Sequence, residues 1–261
     1  LKNSHVTQDT DPLLYDGHKR YHPGLSVDCV IFGFHDNQLK VLLLKMSHTD
    51  QRWALPGGFV LKDEDVESAA HHVLQSRTGL DNIFLRQFYL FGEVERSDRE
   101  LNRKMLQGRG VDPHEDHWLL QRFITIGYYA LVDFTKALPR PDELSDACDW
   151  WDFHNLPPLM MDHARILQKA LEALRQQLNR EPIGYNLLPE KFTMPELQKL
   201  YETILGKTLD RRNFQRKMLA YGILERLNER RSGGAHKAPY LYRFDLASYH
   251  KALEEGFSGG W

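Results

Sequence analysis

The stretch WALPGGFVLKDEDVESAAHHVLQSRTGL, residues 53–80, constrains the fold most. Pro56-Gly57-Gly58 is a turn signal, because glycine admits backbone paths closed to other residues. From Glu64 onward the apolar residues fall at Val66, Ala69, Ala70, Val73 and Leu74, one face of a helix. Gly79 stands where a left-handed C-terminal cap is expected. The flanks read as strands: 25–34 and 39–45, joined through Asp36-Asn37 as a hairpin, then 83–94, 123–132 and 146–153. Ile166, Leu167, Ala170, Leu171, Leu174 and Leu178 predict a helix over 163–178. Strands mixed with helices give an α/β (α+β) class.

Residues 100–121 are charged and mixed, with Gly108, Gly110 and Pro113 in the middle. They read as an insertion that is helical at its ends and able to alter ligand fit or dimer packing. Residues 179–191 hold two prolines and a glycine and read as a linker. The expected division is an arm at 1–23, a first domain at 24–180, a second at 181–250 and a tail at 251–261. Cys29 and Cys148 lack metal-ligand spacing and read as two unpaired core thiols. No apolar run is long enough to span a membrane, and the first residues lack the apolar core of a signal peptide, so a cytoplasmic location is expected.

Spacing within 53–80 resembles the Nudix box, which frames a magnesium site for cleaving diphosphates. Gly58, Glu64, Gly79 and Leu80 match its opening and close. Where the family has R-E-U-x-E-E, this chain has His72-Val73-Leu74-Gln75-Ser76-Arg77. Magnesium needs hard oxygen ligands, and an aliphatic, a hydroxyl and a cation do not supply them. No metal, no cofactor and no catalytic residue are therefore expected. The resemblance covers about residues 24–178 and implies an αβα sandwich with a mixed sheet. A hydrolase of ADP-ribose or another nucleotide sugar, with magnesium held by Glu64 and recruits such as Glu67, Glu93 or Glu95, is the competing reading.

The second domain has its own signals. Thr193-x-x-Glu196 is a capping box, and Leu197, Leu200, Tyr201, Ile204 and Leu205 make the apolar face of a helix ending at Gly206. Asp210 is a second N-cap, and Phe214, Met218 and Leu219 are expected in the core of the next helix. Its early exposed positions are Arg211, Arg212, Asn213, Gln215, Arg216 and Lys217. A tight turn between two such helices is the helix-turn-helix pattern. Two strand-like ends then flank Arg230, Arg231 and Lys237, as in a wing that sets cations on phosphates. Residues 181–244 carry 12 Lys and Arg against 7 Asp and Glu, whereas residues 1–180 carry 21 against 26. A basic segment on an acidic body suggests a polyanion partner.

Joined to a degenerate box, this domain resembles the Nudix-related transcriptional regulators, especially the branch that controls sugar use, including arabinose-responsive members. That resemblance implies a non-catalytic Nudix-like domain that senses a small ligand. It also implies a winged helix that binds operator DNA as a homodimer. A pentose such as arabinose is the ligand suggested by that branch, and ADP-ribose is the other choice. By analogy with the Nudix cleft, the ligand candidates are Asp28, Lys45, Trp53, Gly57, Gly58, Phe59, Glu93, Arg96, Tyr128 and His163.

Overall fold

The computed structural model describes residues 12–81, 83–180, 185–231 and 238–255. Seven strands build the first sheet: β1 (Tyr21–His35), β2 (Gln38–Met46), β3 (Trp53–Ala54), β4 (Gly57–Leu61), β5 (Phe84–Phe91), β6 (Ile124–Leu131) and β7 (Ser145–Asp152). Their order is β3-β2-β1-β6-β5, with β4 also on β1 and β7 also on β2. β1 and β6 run parallel and the other pairs antiparallel, so the sheet is mixed. The β1–β2 hairpin turns at Asp36 (φ 49°) and Asn37 (φ 59°), residue types that tolerate the left-handed region.

β1 is buried continuously from Val27 to Gly33 because both sheet faces are covered. Val27, Cys29 and Ile31 face α2 (Val66–Thr78), whereas Val30 and Phe32 face α4 (His163–Arg180). α2 begins two residues after Glu64, since the Asp65 carboxylate accepts from the Ser68 amide and caps the helix. Gly79, at φ 69°, ends it. Both cysteines are buried and free.

The glycine pair departs from expectation. Gly57 and Gly58 open β4, opposite Asp28 and Val27, and the chain bends earlier, at Leu55-Pro56. They are needed for close approach. A Cβ on Gly57 would stand 2.6 Å from Asp28 Oδ1, and one on Gly58 2.8 Å from Val73 Cγ2.

The second domain has a three-stranded sheet of β8 (Phe192–Thr193), β9 (Leu224–Arg230) and β10 (Tyr240–Phe244), with α5 (Met194–Leu205), α6 (Arg211–Ala220) and α7 (Leu246–Glu255). Thr193 and Glu196 form the full capping box, a feature whose Ncap alone contributes roughly 1 kcal/mol. Phe214 and Met218 are buried, but Leu219 is 43 % exposed, because α6 turns only a narrow face to the core. α7 runs past residue 250 and seats Tyr249 in that core, so the expected boundary of tail and domain falls inside a helix. The linker residues 181–184 lie outside the described residues.

The two domains share one apolar core. Leu171, Leu174 and Leu178 of α4 pack in the same cluster as Leu197, Leu200 and Ile204 of α5. Arg175 Nε donates to the Ile204 carbonyl at 2.7 Å, and Thr203 Oγ1 to the Asn37 carbonyl at 3.3 Å.

Candidate functional site

A cavity of about 160 Å³ opens between β4, the β5–α3 link and the start of α4, where α3 is Arg99–Gly108. Asp28, Gly57, Gly58, Phe59, Arg96 and His163 all line it. Six of the ten predicted ligand residues thus converge. At its charged end Arg96 Nη2 lies 3.6 Å from Asp28 Oδ2, and His163 Nε2 lies 4.0 Å from Asp28 Oδ1. His163 Nδ1 accepts from the Leu55 amide at 2.9 Å, so the neutral ring carries its proton on Nε2. Burial lowers the His163 pKa below its usual value, against the opposing pull of Asp28 and Asp162. The rest of the wall is mostly apolar: Met46, Met105, Leu119, Phe123, Met160 and Met161. A second cavity of about 420 Å³ shares Arg96, Ser97 and Met161 with it and adds Arg52, Glu95, Asp98, Arg99 and Asp162, so cations and carboxylates line it together.

Four predicted residues lie elsewhere. Trp53 packs on Trp151 at 5.0 Å in the core beneath α4. Tyr128 is buried in the core beneath α2, which raises its pKa through desolvation. Lys45 is half-buried on β2, opposite Trp53 and Ala147. Glu93 pairs with Arg165, which holds its carboxyl below the usual range. Strand alternation accounts for Trp53 and Tyr128, since each points to a face that a helix already covers. Sequence reasoning missed Asp142, Asn102, Met105 and the paired methionines 160 and 161. Only their place in the loop before α4 marked the last two.

The box helix faces a groove of about 640 Å³ lined by Glu64, His72, Val73, Ser76 and Arg77. Every one of these is engaged. Glu64 Oε1 accepts from the Leu61 amide at 2.8 Å and Oε2 lies 2.9 Å from His72 Nδ1. Val73 abuts Gly58, and Ser76 Oγ donates back to the Val73 carbonyl at 2.9 Å. Arg77 lies 3.3 Å from Asp142. Among the described residues no group of three or more His, Cys, Asp or Glu has a metal-holding arrangement. Glu64 is the one family carboxylate kept in the box, and its oxygens already serve the loop and His72.

On the second domain, Arg211, Arg212, Asn213 and Arg216 are exposed along the first turns of α6, with Gln215 and Lys217 half-buried beside them. The Asp210 carboxylate accepts from the Asn213 amide at 2.8 Å and fixes where the helix begins. Arg216 donates to Asn213 Oδ1 at 3.0 Å. At the wing, Arg230 lies over the Tyr240 ring at 3.9 Å. Arg231 is committed differently: it reaches both oxygens of Glu196 at 2.7 Å. Lys237 lies outside the described residues.

Comparison with known proteins agrees with this arrangement. The NUDIX domain family matches residues 22–170, and the family described as the NrtR DNA-binding winged helix domain matches residues 184–244. The ADPR responsive transcriptional repressor NtrR of Acinetobacter baylyi is 31 % identical over 233 residues, 87 % of this chain and 84 % of that protein. The ADP-ribose pyrophosphatase of Methanocaldococcus jannaschii is 27 % identical over 149 residues, 56 % of this chain and 72 % of that protein. The crystal structure of Shewanella oneidensis NrtR complexed with a 27mer DNA aligns with a TM-score of 0.70 at 28 % identity, covering 91 % of this chain and 99 % of that one. With a NUDIX domain fused through a common core to an NrtR winged helix, the chain belongs to the NrtR-type Nudix-related transcriptional regulators.

Proposed function

We propose that this protein is a repressor that binds operator DNA as a homodimer and releases it when its Nudix domain takes up ADP-ribose. The observation that carries the reading is the joining of two things in one core. One is a box helix with Val73, Ser76 and Arg77 at carboxylate positions. The other is a helix that presents Arg211, Arg212 and Asn213 to solvent. The A. baylyi relative's description as ADPR responsive supports the choice of ADP-ribose. So does the cavity: its mostly apolar wall suits the flat base of a nucleotide better than a bare pentose, which has only hydroxyls to offer it. Arabinose is the weaker choice on that ground. A cationic Arg77 disfavours a divalent ion, so no diphosphatase activity is expected. Among the described residues no helix is long and apolar enough to cross a membrane, and action on DNA suits a cytoplasmic location.

The test is fluorescence anisotropy on a footprinted promoter fragment, with ADP-ribose and arabinose as competitors and AMP release followed with magnesium. ADP-ribose is expected to weaken DNA binding at least tenfold, with arabinose silent and no AMP formed. Magnesium-dependent AMP release that is lost in Glu64→Gln would favour the hydrolase instead.

A further inference from the structure

The insertion at 100–121 is a built element. Its helix α3 is capped by Asp98, whose carboxylate accepts from the Leu101 amide at 2.9 Å. Glu115 then ties the helix to the returning chain, through Arg99 at 2.6 Å and Arg103 at 2.7 Å. Asn102 Nδ2 donates to the Leu119 carbonyl at 3.1 Å and clips the two ends together.

The insertion is also anchored to α1 (Pro12–Arg20), in the segment expected only as an arm. His117 Nε2 donates to the Leu14 carbonyl at 2.9 Å and Trp118 Nε1 to the Leu13 carbonyl at 3.2 Å. Leu14, Leu106, Val111, Leu119 and Leu120 bury a small core of their own. The Trp118 ring lies where a Cβ on Gly17 would stand, stacks on Tyr21 at 5.8 Å and meets Phe59 at 4.7 Å. These contacts tie the segment to its own helix and to α1.

Three of its residues, Asn102, Met105 and Leu119, face the 160 Å³ cavity that also contains Asp28, Arg96 and His163. The geometry points to the insertion as the selectivity wall of the effector cavity. In this reading Met105 and Leu119 cover a flat ring, and Asn102, whose Nδ2 is held by Leu119, offers Oδ1 at its edge. An apolar wall with one amide at its rim is what a flat heteroaromatic ring takes, so a nucleobase is the matching class. This assignment rests on the reading that the cavity holds the effector.

The experiment is calorimetry on the full chain with ADP-ribose, its 1,N6-etheno analogue and arabinose. Met105→Phe fills the cavity and is expected to raise the ADP-ribose Kd at least tenfold, with ligand-free DNA affinity unchanged within twofold. Met105→Ala opens the wall, and the preference for ADP-ribose over the wider etheno ring should fall at least tenfold. If Met105→Phe also loses DNA binding, the Ala variant decides. Wild-type affinities and preference in a folded variant overturn the proposal. Arabinose binding that Met105→Phe abolishes, with ADP-ribose inert, sinks the ADP-ribose reading and keeps the wall. No binding by any of the three ligands to the wild-type protein removes both.

Discussion

Arg96 grips Asp162 with two parallel bonds, Nε to Oδ2 and Nη2 to Oδ1, each 3.1 Å. Its third arm, Nη1, donates to the Phe123 carbonyl at 2.7 Å, and Asp28 lies 3.6 Å away. One buried guanidinium therefore joins the segment after β5, the approach to β6 and the residue before α4. The geometry is the planar fork that lysine cannot reproduce.

Removing that cation takes the counter-charge from the buried Asp28 and the half-buried Asp162. Arg96→Met is expected to cost about 3–5 kcal/mol in urea unfolding. Arg96→Lys should recover less than half of that loss. A midpoint unchanged in Arg96→Met would mean that the network does not support the fold.

His163 makes stability depend on pH. Burial is the largest influence and holds its pKa below the ordinary 6.5, with Arg96 acting the same way and Asp28 and Asp162 opposing. A base with a lowered folded pKa binds its proton more readily in the unfolded chain. The stabilisation is therefore full above 6.5 and lost as pH falls through 6.5 toward the folded value. His117 acts with the same sign, again chiefly through burial. Thermal unfolding at pH 7.5 and pH 5.5 should give a lower Tm at the acid pH. The difference should shrink in His163→Asn, whose amide oxygen can still accept from the Leu55 amide. An equal slope in wild type and variant would assign the effect to other groups.

Arginines of the second domain divide into two kinds. Arg211 and Arg212 are exposed at the start of α6, whereas Arg231 is held by Glu196. Arg211→Ala with Arg212→Ala is expected to lower operator affinity at least tenfold. If both meet phosphates, the log-log salt slope should flatten by about two. Arg231→Ala should change DNA binding less than threefold, because its partner is a carboxylate of the same chain. Anisotropy titrations at three salt concentrations separate the cases, and an Arg231 effect as large as the double variant's would reverse the assignment.

Much of this was legible in the chain itself. Local periodicity, the Asp36-Asn37 turn, the Gly79 cap and the Thr193–Glu196 box are short-range features, and each appears where its spacing places it. The same holds for the loss of box carboxylates, since three positions within about one helical turn share a face whatever surrounds them. Tertiary structure alone decided which face each side chain meets. Trp53 and Tyr128 went to helix-covered faces, Glu93 went to Arg165, and Asp28 went to Arg96, which lies 68 residues away. It also decided that a charged, glycine-bearing insertion folds onto the N-terminal helix and walls the cavity. The physical reason is that a repeat of 2 or 3.6 residues fixes a side chain's direction relative to its own backbone. What fills that direction is set by chain segments far away in sequence.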